Sequence, residues 1–296
     1  MINVHLGLTY ACNMRCKHCY AKEKIHDYQV LHGKKLLNIL EQLGTFYITY
    51  TMGETLLWKG FPQFAQMAKE RGFYQILLSN GSTITDEHVV QNLVDLGIKK
   101  VGISIDSSDP CKHDENRGYP GAYKKACEAI QRLSRHPEIW TQVAMAIDSN
   151  NMCEIPEVIR QMKAIGAKSF SFLWMRTNGR IKPIENYEAY EQVMCWLIKK
   201  KDHDGLDVNV HDFRLNSLVK RMYEAQEISA HTKDEFLNMN ACHALNELIL
   251  IDPIGDMYMC NFEQKPFANV YTASLDQLAS FKVKDLPLCG GNHDSL

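Results

Sequence analysis

No stretch of this 296-residue chain approaches the roughly 20 consecutive apolar residues of a membrane-spanning helix, which excludes a helical membrane protein. A strand-like opening reaches Cys12 almost at once and leaves no room for a secretory signal peptide. A cytoplasmic location is therefore expected. An excess of charge of either sign is also lacking: the formal net charge is −2, so no field favours nucleic acid or an anionic membrane. The one obvious charge run, Lys199, Lys200 and Lys201, reads as helix-terminus cations before Gly205. At 45% hydrophobic and 23% charged, the composition is that of an ordinary soluble globular protein with one large domain and one small one.

Cysteine is not scarce. Ten cysteines in a reducing compartment argue for metal chemistry over disulfides. Three of them, Cys12, Cys16 and Cys19, are spaced C-x3-C-x2-C directly after the strand-like run 2–9. Zinc wants four ligands, usually from paired knuckles, and His18 lies too close to Cys16 and Cys19 to close a tetrahedron with both. A [4Fe–4S] cube suits the spacing better, because one tight loop can hold three corners and leave the fourth iron open. An open iron can bind something else.

Strand-like runs near 2–9, 45–51, 74–79, 99–106, 140–147 and 168–174 alternate with amphipathic segments near 33–43, 61–71, 85–97, 122–135 and 152–165. The alternation predicts an α/β fold with a parallel sheet, a partial (β/α)6 TIM-like barrel, with catalytic groups at the C-terminal strand ends. The barrel is expected over 1–205, a helical linker over 206–239 and a small β-hairpin/helix module over 240–296. Residues 184–239 read as mostly helical, and there Met194, Trp196, Leu197, Leu218, Val219, Met222 and Tyr223 fit helix faces that pack on the barrel.

Three strand ends carry polar groups. Gly53 lets the backbone approach a ligand and Glu54 can accept from an ammonium group. Ser79, Asn80 and Gly81 place a hydroxyl and an amide where a ribose could be met, or form a plain turn. Ser104 ends strand four, and the following loop carries His113, Asp114 and Arg117, whose guanidinium suits a carboxylate. Cys111 in that loop is either a small loop residue or a hydrogen-atom donor, while Cys127, Cys153 and Cys195 lie in helical stretches and read as buried hydrophobes.

The cysteine triplet followed by aromatic Tyr20 resembles the radical SAM superfamily, in which the open iron chelates S-adenosylmethionine and its reductive cleavage yields a 5′-deoxyadenosyl radical. Met52-Gly53-Glu54-Thr55 resembles that family's G-G-E-P motif, with Met52 and Thr55 replacing glycine and proline. The stretch from Ser104 to Tyr123 resembles the S-x-D … H-D-x-x-R-G-x-x-G-x-F/Y pattern of members with a SPASM or twitch extension. The resemblance implies that Glu54 holds the methionine ammonium and that Ser104 and Arg117 hold its carboxylate. It further implies that Tyr20, Gly53, Ser79 and Asn80 line the cofactor and that His113 and Asp114 shape the loop.

Near the C-terminus, Cys242 precedes a β run at 248–251, an Asp252-Pro253-Ile254-Gly255-Asp256 turn, and a return strand at 257–259 reaching Cys260. With Cys289 this segment resembles the SPASM/twitch module, which implies an auxiliary [4Fe–4S] cluster. Asn292 stands where that module has a second cysteine, so the fourth ligand falls to His293, His243, substrate or water. A zinc-bound or metal-free hairpin is the alternative. The resemblance implies a radical SAM enzyme that matures a ribosomally made peptide, with flavodoxin or ferredoxin as reductant. No leader-binding domain is expected before the cysteine loop. A small-molecule dehydrogenase or cyclase acting on a sugar or nucleotide is the alternative, and a non-catalytic iron–sulfur carrier the alternative of another class.

Overall fold

A computed structural model of the chain describes residues 2–19, 33–177, 180–212, 214–240, 248–259 and 265–274. Six strands pair in chain order and in parallel: β1 (Ile2–Gly7), β2 (Thr45–Thr51), β3 (Tyr74–Ser79), β4 (Ile98–Ser104), β5 (Trp140–Ile147) and β6 (Ser169–Trp174). Helices α1 (Gly33–Gln42), α2 (Phe61–Glu70), α3 (Glu87–Asp95), α4 (Pro110–Arg117), α5 (Ala122–Ser134) and α6 (Ile155–Ala164) lie between them. In α5 the buried residues Ala122, Ala126, Ala129, Ile130 and Leu133 recur at helical spacing, which makes one apolar stripe against the sheet. Its small residues allow a close approach: a Cβ on Gly81 would lie 3.0 Å from the Ala126 Cα.

After β6 come the short antiparallel pair β7 (Arg176–Thr177) and β8 (Arg180–Ile181), then α7 (Tyr187–Asp204), β9 (Val208–His211), α8 (Leu215–Glu224) and α9 (Ala230–Met239). The described chain closes with β10 (Leu248–Ile251), β11 (Asp256–Tyr258) and β12 (Ala268–Asn269). The full sheet order is β12-β11-β10-β1-β2-β3-β4-β5-β6-β9. Its two outer strands are not paired to each other, so among the described residues the barrel stays open.

The mixed α/β fold with a parallel sheet agrees with the sequence expectation, and three details differ. The stretch 206–239, expected as a helical linker, opens with a strand: Val208 and Val210 are fully buried and β9 pairs in parallel with β6. The C-terminal hairpin is not separate from the barrel sheet, because β10 lies parallel beside β1, Val4 opposite Ile249. The third difference is helix α4, expected as a loop. Asp109 caps it by accepting from the Cys111 amide at 2.7 Å, Pro110 sits in its first turn, and Gly118 ends it with φ 59°. Met194, Leu197, Leu218, Val219 and Met222 are buried as expected, whereas Tyr223 is exposed. No helix among the described residues is long and apolar enough to cross a membrane.

Candidate active site

Four consecutive parallel strands deliver polar segments from their C-terminal ends to one region, the usual position of a site on such a sheet. The loop 8–19 leaves β1, Met52 to Glu54 follow β2, Asn80 to Thr83 follow β3, and Asp106 follows β4. Backbone contacts dock the cysteine loop onto the segment after β2 and onto the end of α4. The Glu54 amide donates to the Ala11 carbonyl at 2.8 Å, the Arg15 amide to the Arg117 carbonyl at 3.1 Å, and the Lys17 amide to the Asn116 carbonyl at 2.8 Å. Asn13 bridges to the β3 loop through its side chain, donating to Ser82 Oγ at 2.8 Å and accepting from Asn80 Nδ2 at 3.0 Å.

Two glycines make this docking possible. Gly53 has φ 51°, and a Cβ there would lie 2.6 Å from both the Thr9 and Ala11 carbonyl oxygens. Gly118 has φ 59°, and its Cβ would lie 2.6 Å from the Arg15 carbonyl oxygen. Met52, at the family's first glycine, keeps a left-handed backbone with φ 61° although it carries a side chain. A residue with a side chain thus takes, with some strain, a conformation that glycine adopts freely.

Glu54 is buried beneath these loops. It accepts from Ser79 Oγ at 2.8 Å, the Asn80 amide at 2.9 Å and Thr83 Oγ1 at 3.1 Å. Burial raises its pKa above the ordinary carboxylate value despite these bonds, and its hydrogen-bond donors are all neutral. A buried carboxylate held by neutral groups is a preformed receptor for a cation.

On the other side, Arg117 and Asp106 form a buried ion pair. Nη2 donates to Oδ1 at 2.9 Å, while Nε lies 2.7 Å from Oδ2 in a geometry too bent for a hydrogen bond. Burial opposes ionisation of Asp106, but the Arg117 charge prevails and its pKa falls. Nη1 of Arg117 points to Cys16 Sγ at 3.8 Å. His113 accepts the Asp106 amide on Nδ1 at 3.1 Å, and burial, followed by the Arg117 charge, lowers its pKa to about 4. Asp114 accepts from the Gly121 amide at 2.6 Å and the Tyr123 amide at 2.8 Å, which fixes the start of α5.

Cys12, Cys16, Cys19, Gly53, Glu54, Ser79, Asn80 and Arg117 are thus joined by one web of contacts, while half-buried Ser104 ends β4 two residues before Asp106. Ser79 and Asn80 spend polar groups on Glu54 and Asn13. Cys111 does not share the buried face of α4: it is exposed and about 160° around the helix from buried His113. Cys153 is exposed in the short turn 152–154, contrary to the expected burial, because it precedes the apolar stripe of α6. Cys127 and Cys195 are half-buried against the core. Tyr20, Cys242, His243, Cys260, Cys289 and His293 lie outside the described residues. Sequence reasoning gave no role to Asn13, Thr83 or Asp106, although the Ser79-to-Thr83 run of small polar residues and the S-x-D pattern were visible signals.

Residues 6–162, more than half of the chain, match the Radical SAM superfamily. The chain belongs to the radical SAM superfamily. It is 35% identical over 220 residues to the sporulation killing factor maturation protein SkfB of Bacillus subtilis, covering 72% of this chain and 52% of SkfB. It is 26% identical over 279 residues to the AdoMet-dependent heme synthase of Nitratidesulfovibrio vulgaris, covering 89% of this chain and 74% of that one. Streptococcus suis SuiB, solved with its precursor peptide SuiA, shares the fold with a TM-score of 0.72 at 14% identity, over 94% of this chain and 64% of SuiB. The chain spans about half the length of SkfB. It is an enzyme of the radical SAM type, and the family's cofactors are a [4Fe–4S] cluster and S-adenosylmethionine.

The residues present fit those cofactors. Three half-buried thiols share one loop, and N–H donors already face two of them: the Met14 amide lies 3.4 Å from Cys12 Sγ and Arg117 Nη1 faces Cys16 Sγ. Such bonds stabilise thiolate sulfur and tune a cluster. Burial otherwise pushes the Cys12 thiol up to about 11, so a bound metal has to supply the charge that ionises it. Among the described residues no three Cys, His, Asp or Glu side chains gather closely enough to hold a single metal ion, whereas a cube takes each thiolate at a separate iron.

Proposed function

We propose that this radical SAM enzyme modifies a ribosomally made peptide, by crosslinking, epimerisation or excision. The observation that carries the reading is the 35% identity to SkfB, a maturation protein, and the fold shared with peptide-bound SuiB supports it. With both cofactors bound, the reduced cluster would supply the electron that cleaves S-adenosylmethionine to methionine and a 5′-deoxyadenosyl radical, and that radical would take hydrogen from substrate. Cys12, Cys16 and Cys19 hold that cluster. Glu54 receives the methionine ammonium, the charge for which its buried carboxylate lacks a partner. Ser104 and the Nη1 edge of Arg117 face the methionine carboxylate, and Gly53, Ser79, Asn80 and Tyr20 complete the cofactor's surroundings.

Cys242, Cys260 and Cys289, with His293 as the candidate fourth ligand, hold an auxiliary [4Fe–4S] cluster in the same reading. Such a cluster would offer an acceptor for the substrate electron when a crosslink forms, and a flavodoxin or ferredoxin would supply reducing equivalents. The peptide is recognised by the barrel mouth, the C-terminal segment or a separate protein. A small-molecule substrate is the second reading, favoured by the heme synthase similarity, which covers more of both chains than the SkfB match does.

The test is anaerobic incubation in deuterated water with S-adenosylmethionine, reductant and a short peptide encoded beside the gene. Peptide mass and 5′-deoxyadenosine are recorded together. Loss of two hydrogens indicates a crosslink or desaturation, one carbon-bound deuterium indicates epimerisation, and a larger loss indicates excision. An unchanged peptide beside accumulating 5′-deoxyadenosine overturns the peptide reading in favour of a small molecule.

A further inference from the structure

Asp252, in the turn that follows β10, is fully buried and contacts Tyr10 across 242 residues of sequence. Its Oδ1 is committed to its own turn, accepting the Ile254 amide at 3.1 Å and the Asp256 amide at 3.0 Å. Its Oδ2 takes two phenols from different parts of the chain, Tyr10 at 2.5 Å and Tyr258 at 3.2 Å. The carboxylate is therefore rigidly aimed.

Tyr10 stands between the two residues that clamp the site. The carbonyl oxygens of Thr9 and Ala11 lie against Gly53, and the Ala11 carbonyl accepts the Glu54 amide. Cys12 follows Ala11 directly. One side of this short segment is thus held by the Glu54 loop and the other by the hairpin.

We propose that Asp252 is a positioning residue for the S-adenosylmethionine site. Through the Tyr10 hydroxyl it sets the place of the cysteine loop and of the Glu54 loop clamped to it. Because Tyr258 shares the same oxygen, a change in β11 is felt at Tyr10. The inference rests on the reading of Glu54 as the methionine ammonium receptor.

The experiment uses the full chain, anaerobically reconstituted, as wild type, Tyr10→Phe, Asp252→Asn, the double variant and Glu54→Gln. It measures kcat and KM for S-adenosylmethionine in 5′-deoxyadenosine formation and the change that S-adenosylmethionine induces in the electron paramagnetic resonance spectrum of the reduced cluster. A lost hydrogen bond to a charged group corresponds to roughly tenfold. Each of the first two variants is expected to raise KM by that factor, keep kcat within about threefold, and alter the cofactor-induced spectral change. The double variant should be no worse than the worse single one. Additive losses overturn the proposal, as does an unaltered KM and spectrum with only a lower melting temperature. A normal KM in Glu54→Gln defeats the ammonium-receptor reading. A raised KM there beside a normal one in Tyr10→Phe overturns the role of Asp252 alone. Should Asp252→Asn fail to fold, Tyr10→Phe, which lacks a single oxygen, decides the matter.

Discussion

Arg117 lays its guanidinium along the Asp106 carboxylate, with Nη2 2.9 Å from Oδ1 and Nε 2.7 Å from Oδ2, and so ties the end of α4 to the end of β4. The same guanidinium faces Cys16, so the pair joins the strand scaffold to the cysteine loop.

Removing the anion leaves this guanidinium buried and unpaired. Asp106→Ala is expected to destabilise the protein by about 3–5 kcal/mol, measured by denaturant unfolding. Arg117→Lys keeps the charge but not the planar fork, and should lose stability even so.

His113 gives a pH signature. Its folded pKa of about 4 lies below the unfolded value near 6.5, so between those values the unfolded chain binds more protons and stability rises with pH. From pH 7 to pH 5 this one group should remove about 2 kcal/mol. Unfolding curves at the two pH values check it, with His113→Gln showing a smaller drop.

Glu54 has the opposite sign. Its folded pKa is raised, so the folded state keeps the proton longer and the group's contribution to stability falls as pH rises through the unfolded value. In Glu54→Gln the new side-chain carbonyl can turn to the Asn80 amide and the NH2 to hydroxyls able to accept. That variant should therefore melt no lower than wild type at pH 7 without cofactor. Its affinity for S-adenosylmethionine should fall roughly tenfold to hundredfold by titration.

Gly118→Ala should impair cluster loading. The substitution combines left-handed strain of about 1–2 kcal/mol with a Cβ driven onto the Arg15 carbonyl. Gly121→Ala is the control, with φ 81° but open space around its Cβ. Iron and sulfide per chain after reconstitution should drop for the first and hold for the second.

Much of this arrangement was legible in the chain. The alternation of β-branched runs and amphipathic segments located β1 to β6, because parallel strands buried on both faces read as apolar runs. Helix α4 was hidden by its short length and polar composition, with only His113 and Arg117 buried. Its punctuation, Asp109-Pro110 at the start and Gly118 at the end, was the readable signal. The pairing of β10 with β1 was not legible, since strand neighbours distant in sequence are chosen by tertiary packing. The polar run from Ser79 to Thr83 was visible at a strand end, but its service to Glu54 was not, because the run reads locally as a turn and meets Glu54 only once β3 lies beside β2.

The most direct measurement is 5′-deoxyadenosine formation by reconstituted protein given S-adenosylmethionine and reductant. Wild type should form it, and a variant with Cys12, Cys16 and Cys19 all changed to alanine should not. A variant with Cys242, Cys260 and Cys289 changed to alanine should still form it while failing to modify substrate. Continued formation without Cys12, Cys16 and Cys19 would contradict the assignment of the catalytic cluster to that loop.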